Sequence, residues 1–176
     1  GTLTPIICLN KMDLWTSESP DIQETYKQVG YRIIPTSALT GLGIDELRNV
    51  LSRKISAIAG PSGVGKELAA WKLAAGCVAK GDPEILQRIE SGNHPDVRVF
   101  RPRDEGHRNI QVEFLRDEVL PVCHHAPFEA DRAFLIFPEA DISFPTNHPE
   151  AANAILKPLE EPRRGITFIL TAARPD

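Results

Sequence analysis

The segment AIAGPSGVGKELAAW, residues 57–71, constrains the fold more than any other part of the chain. An apolar, β-type run leads into a glycine-rich turn, and a helical pattern follows the turn directly. The turn carries Gly60, Gly65 and Lys66 at the spacing G-x-x-x-x-G-K, which is typical of a phosphate-binding loop. A strand, a loop of this kind and a helix together indicate an α/β domain with parallel strands.

The loop departs from the pattern at its last position, where a Ser or Thr hydroxyl normally holds Mg²⁺ and this chain has Glu67. Backbone N–H groups and the helix N-terminus would still attract phosphate oxygens, and Lys66 would add a positive charge. The candidate phosphate-binding residues are Gly60, Ser62, Gly63, Val64, Gly65, Lys66 and Glu67. Beside a working loop, two alternatives stay open: a chance glycine-rich turn, and a genuine loop that has lost hydrolysis.

The bulk composition narrows the functional classes. With 176 residues, 41% of them hydrophobic and 25% charged, the chain is long enough for one α/β core. A net charge of -4 argues against direct nucleic-acid binding. The three cysteines are far apart, so we expect no zinc site and a reducing, cytoplasmic setting. No apolar run is long enough to cross a membrane, and both ends look like those of a fragment.

Apolar β-type runs alternate with helical patterns along the whole chain. The predicted strands lie within residues 4–10, 31–38, 55–60, 97–100, 133–137 and 165–173, and the predicted helices lie near residues 21–29, 43–55, 66–79, 110–126 and 148–162. Residues 80–96 are polar and give no clear pattern. This alternation predicts a three-layer, P-loop NTPase-like sandwich with a mainly parallel sheet of about six strands.

Two short motifs follow the first two predicted strands. NKMD, residues 10–13, resembles the N-K-x-D guanine-specificity motif of GTPases, and TSAL, residues 36–39, resembles their later S-A motif. The resemblance implies base-binding roles for Asn10, Lys11, Asp13, Ser37 and Ala38. Asp13 would accept from the guanine N1–H and amine, the stem of Lys11 would lie over the ring, and the Ala38 N–H would meet the guanine oxygen. For NKMD alone, a polar turn after a strand is the alternative.

The order of these motifs is unusual, because the phosphate loop follows N-K-x-D instead of preceding it. That order is typical of circularly permuted GTPases, and residues 1–66 resemble the ribosome-assembly GTPase family that acts on the small ribosomal subunit. The resemblance implies GTP or GDP as ligand, with Mg²⁺ accompanying the nucleotide. No D-x-x-G motif occurs in the chain, so the second magnesium-side element of that family is missing.

The remaining sequence resembles another family. GVGKELAAWKLA, SGNHPDVRVFRP, RAFLIFPEAD and NAILKPLEEP resemble the delta-prime subunit of the bacterial DNA polymerase III clamp loader, and the similarity covers residues 60–176. It implies an AAA+-like domain without its lid and collar. Pro138 stands where the family has an aspartate, which leaves Glu139 as the one candidate catalytic carboxylate, and Thr171 takes the place of a sensor residue. Clamp-loader subunits are the partners that this resemblance implies.

The two resemblances meet in the phosphate loop, so residues 1–176 are interpreted as a single hybrid P-loop domain. An engineered recombinant, a gene fusion and an assembly artefact would all give this arrangement. We expect one continuous sheet, with strands in the order 97–100, 133–137, 167–171, 56–59, 6–9 and 32–35. In this order the strand at residues 6–9 pairs with the phosphate-loop strand. In the GTPase sheet, another strand separates the N-K-x-D strand from the phosphate-loop strand. Without that strand, the base motifs move by one sheet position, which is about 4.8 Å. Contact between the base motifs and the phosphate loop therefore decides whether a pocket forms.

Three functions follow from these interpretations. The first is a P-loop domain that binds guanine or adenine nucleotide with weak or no hydrolysis. The second is a non-catalytic clamp-loader scaffold fragment that binds partner subunits. The third is an active ribosome-assembly GTPase, which Glu67 and the missing D-x-x-G motif disfavour.

Overall fold

The protein is described by a computed structural model that covers residues 4–17, 22–51, 58–102, 109–147 and 149–173. Its strands are β1 (Ile6–Leu9), β2 (Arg32–Pro35), β3 (Ile58–Ala59), β4 (Val97–Val99), β5 (Ala133–Phe137) and β6 (Ile166–Ala172). Its helices are α1 (Ile22–Gln28), α2 (Ile44–Leu51), α3 (Lys66–Ala79), α4 (Pro83–Glu90), α5 (Val112–Phe114), α6 (Leu120–His124), α7 (Ala140–Ser143) and α8 (Pro149–Glu160). Each predicted strand is present, although the part of the third strand before Ile58 lies outside the described residues.

All strand pairs are parallel, which confirms the α/β class. The described strands form a four-stranded sheet of order β3-β6-β5-β4 and a two-stranded sheet of β1 and β2. The order within each group is as expected. The single continuous sheet is not found, because no pairing of β1 with β3 occurs among the described strands.

The chain divides into two compact units. The first unit consists of Gly1–Ser56 and Ser62–Leu73, and the second consists of Ala57–Pro61 and Ala74–Asp176. The chain therefore changes unit three times: after Ser56, after Pro61 in the phosphate loop, and after Leu73 in α3. The organisation as a single hybrid domain, with parts at residues 1–66 and 60–176, stays a prediction.

The second unit has the larger core. Every residue of β5 is buried, as expected of a central parallel strand that is covered on both faces. The core cluster joins strand residues to helix residues, among them Leu135, Phe137, Leu115, Val119 and Ile155. Phe137 stacks on Phe100 at a ring-centroid distance of 5.3 Å. Cys123 belongs to the same cluster, and burial raises the pKa of its thiol to about 11.

The helix predicted over residues 110–126 contains a π-helical stretch, Leu115–Val119, between α5 and α6. This stretch directly precedes the turn that contains Pro121. Proline has no N–H to donate and its ring crowds the carbonyl four residues earlier, and a wider turn relieves that clash. The sequence predicts a bend or stop here, whereas the structure continues the helix to His124.

The segment without a clear pattern, residues 80–96, contains the helix α4. Asp82 caps this helix by accepting hydrogen bonds from the N–H groups of Glu84 (2.9 Å) and Ile85 (3.3 Å), and Pro83 occupies its first turn. Both residue types are typical of a helix start, so the signal was present in the sequence. In the described part of the chain, no helix is both long and apolar enough to span a membrane.

Candidate nucleotide-binding site

The phosphate-loop residues that belong to the first unit are Ser62 to Lys66. Gly63 (φ 77°) and Gly65 (φ 90°) adopt left-handed backbone conformations that a glycine accepts at little cost. Lys66 is the first residue of α3, so the loop leads directly into the N-terminus of a helix of 14 residues. This is the geometry that concentrates backbone N–H groups on an anion. Gly60 belongs to the second unit, where its N–H donates to the Ala172 carbonyl.

Asn10 connects the phosphate loop to the second base motif within the first unit. Its side-chain amide donates to the Val64 carbonyl at 2.7 Å, and its Oδ1 accepts from the Ala38 N–H at 2.9 Å. A Cβ on Gly65 would collide with Asn10 Nδ2, so the glycine is needed for close approach as well as for its φ. The contact between the base motifs and the loop, on which a pocket depends, is therefore present.

Asp13 is held by the second base motif. The buried Ser37 hydroxyl donates to Asp13 Oδ1, and the Thr40 N–H donates to Ser37 Oγ at 3.1 Å. The Asp13 residue itself is exposed, so its carboxylate can accept hydrogen bonds from a ligand. An exposed carboxylate that is oriented by a buried hydroxyl is a suitable acceptor for a planar base with adjacent N–H donors.

Lys11 precedes this aspartate in a left-handed conformation, with φ 66° and ψ 35°. A non-glycine residue in this region is strained, and such residues occur preferentially at functional sites. Lys11 is exposed and begins the short 3₁₀ helix Met12–Leu14. The Ala38 N–H, for which a guanine oxygen is the expected partner, donates to Asn10 in this structure, and its role toward a base stays a prediction.

Thr36 is a site residue that the sequence interpretation did not single out. Its N–H donates to the Leu9 carbonyl and its own carbonyl accepts from the Met12 N–H, at 2.8 and 3.1 Å. Thr36 is buried. Its two backbone hydrogen bonds connect the second base motif to the end of β1 and to the first base motif. Its position directly after β2, in the predicted S-A motif, is the sequence feature that could have identified Thr36 as a site residue.

Gly43 fixes the loop that follows Ser37 and Ala38. It has φ 71°, and a Cβ there would collide with the Pro35 carbonyl oxygen. We expect Gly43→Ala to destabilise the protein by about 2–3 kcal/mol and to weaken nucleotide binding, because the loop must move. Urea unfolding and ligand titration measure the two effects. Gly41→Ala is the matched control, because Gly41 has φ 87° but no neighbour near the added Cβ. Equal losses in the two variants would contradict the steric argument.

The candidate catalytic residue and the candidate sensor residue lie in the second unit. Glu139 follows β5 in a left-handed conformation (φ 48°) and is exposed, and its N–H donates to Thr171 Oγ1 at 3.2 Å. Thr171 is buried near the end of β6. Asp141 accepts from the Ala173 N–H at 3.2 Å. The carboxyl ends of β5 and β6 are thus joined by polar contacts, and the catalytic and sensor roles of Glu139 and Thr171 stay predictions.

No preformed metal-binding cluster occurs among the described residues. They contain no group of three or more His, Cys, Asp or Glu side chains that could hold a metal ion. Glu67, the second residue of α3, is half-buried and stands where the loop pattern requires a hydroxyl. The chain therefore lacks the loop hydroxyl that holds Mg²⁺ in hydrolysing P-loop proteins, and a metal ion here would have to be held by the nucleotide phosphates and water, with Glu67 as the neighbouring carboxylate.

Comparison with protein families identifies a match over the part of the chain that contains these motifs. The family model described as RsgA GTPase matches residues 1–97, which extends beyond the expected boundary at Lys66. A small ribosomal subunit biogenesis GTPase RsgA from Carboxydothermus hydrogenoformans is 39% identical over 146 residues, covering 77% of this chain and 49% of that protein. The RsgA protein of Moorella thermoacetica is 51% identical over 61 residues, covering 35% of this chain and 21% of that protein. The chain thus spans at most about half the length of these relatives.

A solved structure resembles the fold. It is a DNA polymerase III gamma subunit-related protein from Thermotoga maritima, with a TM-score of 0.50 and 20% identity, and the match covers 74% of this chain and 39% of that one. At this identity the likeness concerns the fold alone. It agrees with the AAA+-like architecture that the delta-prime resemblance implies.

Proposed function

Since the chain belongs to the RsgA GTPase family, matched over residues 1–97, we propose that it is a guanine-nucleotide-binding P-loop domain with little or no hydrolysis. The observation that carries the proposal is the pair of hydrogen bonds from Asn10 to Val64 and Ala38. These bonds join the phosphate loop to the loop that orients Asp13, so phosphate and base groups lie in one compact unit.

The preference for guanine follows from the acceptor chemistry of Asp13. Guanine presents an N1–H and an exocyclic amine on one edge, and a carboxylate accepts from both. Adenine has no N–H at N1, so it would leave one carboxylate oxygen without a donor. A site built to hydrogen-bond a ligand discriminates strongly against an analogue that leaves its polar groups unpaired. Asp13, held by Ser37, is therefore the proposed specificity residue.

Weak hydrolysis follows from the groups that are replaced. Phosphoryl transfer in P-loop proteins depends on positioning and on a metal ion held by the loop hydroxyl. Here Glu67 replaces that hydroxyl, Pro138 replaces the acidic residue after β5, and no D-x-x-G motif occurs in the sequence. Asn10, Gly63, Gly65 and Lys66 are sufficient for binding, but not for catalysis.

A second candidate is a scaffold fragment of the clamp-loader type that contacts partner subunits without nucleotide. The four-stranded sheet of the second unit, with its fully buried β5, favours this alternative, together with the fold likeness to the gamma subunit-related protein. The scaffold would need neither Asp13 nor the Asn10 contacts. Nucleotide affinity therefore separates the two candidates.

Titration calorimetry with GDP and with ADP tests the proposal. We expect GDP to bind more tightly than ADP, and Lys66→Ala to weaken GDP by about tenfold or more, because a charge-assisted phosphate contact is lost. Lys72→Ala in the same helix is the matched control, since Lys72 lies over the Trp71 ring at 5.3 Å. Equal affinity for GDP and ADP would refute the guanine preference. No binding by a chain that melts cooperatively would favour the scaffold. GTP turnover at a rate usual for GTPases would refute the weak hydrolysis.

A further inference from the structure

β1 lies at an edge of its sheet, because among the described strands it pairs with β2 alone. We propose that a second copy of this chain adds its own β1 to this edge, in an antiparallel pair with Ile7 on the two-fold axis. The two copies then share one continuous sheet. This interaction surface is separate from the nucleotide site and does not depend on the proposed nucleotide binding.

The direction of the backbone groups in β1 follows from its pairing with β2. The Thr36 N–H donates to the Leu9 carbonyl at 2.8 Å, so Leu9 faces β2. Successive residues of a strand direct their N–H and C=O groups to opposite sides, so Ile7 also faces β2, whereas Ile6 and Cys8 face away from it. Within the described part of the chain, neither Ile6 nor Cys8 has a backbone hydrogen bond on this outer side. The outer edge of β1 therefore offers the N–H and C=O groups of both residues to another strand.

The two edges of this small sheet differ in their protection against such pairing. On the outer edge of β2, Pro35 faces outward, because Thr36 directly after it faces β1. Proline has no N–H and therefore hinders the addition of a strand there. Pro5, directly before β1, falls by the same alternation on the side of β2 and leaves the outer side of β1 open. The strand itself contains no proline and no charged side chain, and Cys8 is exposed.

The open edge of β1 is complementary to itself, which is why a second copy is the proposed occupant. In an antiparallel pair centred on Ile7, the outward-facing Ile6 of one copy lies opposite the outward-facing Cys8 of the other. Each such pair exchanges both of its backbone hydrogen bonds, and the two-fold axis repeats the pair, which gives about four bonds. Residues 4–10 are uncharged, so no like charges meet. A two-stranded sheet is marginal by itself, and the added strands stabilise it.

The proposed register predicts which residues lie close enough to be linked. The two copies of Ile7 form a pair without hydrogen bonds, in which the Cα atoms are about 4.5 Å apart. A disulfide spans this distance. Ile33 lies opposite Ile7 in β2, so its two copies would be separated by three strand spacings, which is about 14 Å. No disulfide can join them within the shared sheet.

Disulfide cross-linking tests the register. Under mild oxidation, Ile7→Cys in a Cys8→Ser background should give a covalent dimer that is joined at position 7, as identified by mass spectrometry of the linked peptide. Ile33→Cys in the same background is the matched control and should give no dimer joined at position 33. If the position 7 link does not form, or if the two copies of Cys8 link in the wild-type chain instead, the proposed register is refuted.

Sedimentation of the wild-type chain without nucleotide tests the association independently of any cysteine substitution in the strand. The dimer fraction will increase with protein concentration. Cys8→Lys will raise the dimer dissociation constant by about tenfold or more, because a charged side chain on an edge strand opposes pairing. Val29→Lys, at an exposed apolar residue of the same unit outside the strands, is the control and will leave the constant unchanged. A wild-type chain that stays monomeric over the whole concentration series would overturn the proposal.

Hydrogen exchange distinguishes a second copy from a strand of the same chain. The protection of the Ile6 and Cys8 amides should increase with protein concentration, in parallel with the dimer fraction. The Ile7 amide, which faces β2, should be protected at every concentration and serves as the internal control. Protection of Ile6 and Cys8 that does not depend on concentration would show that another strand of the same chain covers the edge, and the proposal would fail.

Discussion

Asp96→Asn is expected to lower the free energy of unfolding by about 3–5 kcal/mol, because one buried carboxylate satisfies three backbone donors. Asp96 is fully buried. Its Oδ1 accepts from the Phe128 N–H at 2.7 Å, and its Oδ2 accepts from the N–H groups of Glu129 and Ala130, both at 2.8 Å. Asparagine has the same shape, but its NH₂ group is itself a donor. It would face one or two of these backbone N–H groups and could not accept their hydrogen bonds.

The effect is large because Asp96 joins two strands to a loop. Its own carbonyl accepts from the Phe134 N–H at the start of β5, and its N–H lies 3.1 Å from Nδ1 of the buried His94. Glu129, in the same loop, forms a bidentate ion pair with Arg88 of α4. The Arg88 guanidinium lowers the pKa of the Glu129 carboxyl, so this attachment to α4 weakens as the pH falls through the Glu129 pKa.

Urea unfolding combined with hydrogen exchange checks this prediction. In Asp96→Asn the amide protons of Phe128, Glu129 and Ala130 should lose their protection, whereas the β1–β2 pairing in the first unit should keep its protection. Asp117→Asn is the control at an exposed carboxylate in the second unit, with an expected change within about 0.5 kcal/mol. An unfolding midpoint of Asp96→Asn that equals the control's would show that the loop is held by other contacts.

The hydrogen bonds of Asp96 could not be predicted from the sequence, whereas most strands could. Short apolar runs predicted β1, β2, β4, β5 and β6. The hydrophobic signature is continuous in β5, because every residue of this central strand is buried. The partners of Asp96 lie more than thirty residues further along the chain, and no local pattern records a hydrogen bond over that distance. The strand order within each sheet was predicted, but the partner of β1 on its other side was not, for the same reason. Strand propensity does not specify which edge a strand joins, and the expected β1–β3 pairing does not occur among the described strands.

The residues of the candidate site could be predicted from the sequence more fully than the sheet pairing. Glycine positions and the motifs at the ends of β1 and β2 depend on local backbone chemistry, so Gly63, Gly65, Asn10 and Asp13 could be named in advance. The sequence did not reveal that Asn10 would use the Ala38 N–H, because this depends on the distance between two loops. It also did not reveal that Thr36 would join the two motifs.

Asn10→Ala is expected to weaken GDP binding by about 10- to 100-fold while the chain remains folded. The substitution removes the donor to the Val64 carbonyl and the acceptor of the Ala38 N–H. The phosphate loop and the base loop then lose their common support, and each must be ordered by the ligand at the expense of affinity. Asn49→Ala, at an exposed position of α2 in the same unit, is the control.

A second variant and a second ligand separate the roles of the two hydrogen bonds. Asn10→Asp keeps an oxygen acceptor for the Ala38 N–H but places a carboxylate against the Val64 carbonyl, so only the contact to the phosphate loop is lost. If that contact organises the phosphate site, Asn10→Asp will lower GDP and ADP affinity by the same factor. If Asn10 acts on the base, GDP affinity alone will fall. Unchanged GDP affinity in both Asn10 variants, measured by calorimetry beside Asn49→Ala, would mean that the bridge is structural and that the base motifs do not form part of the binding site.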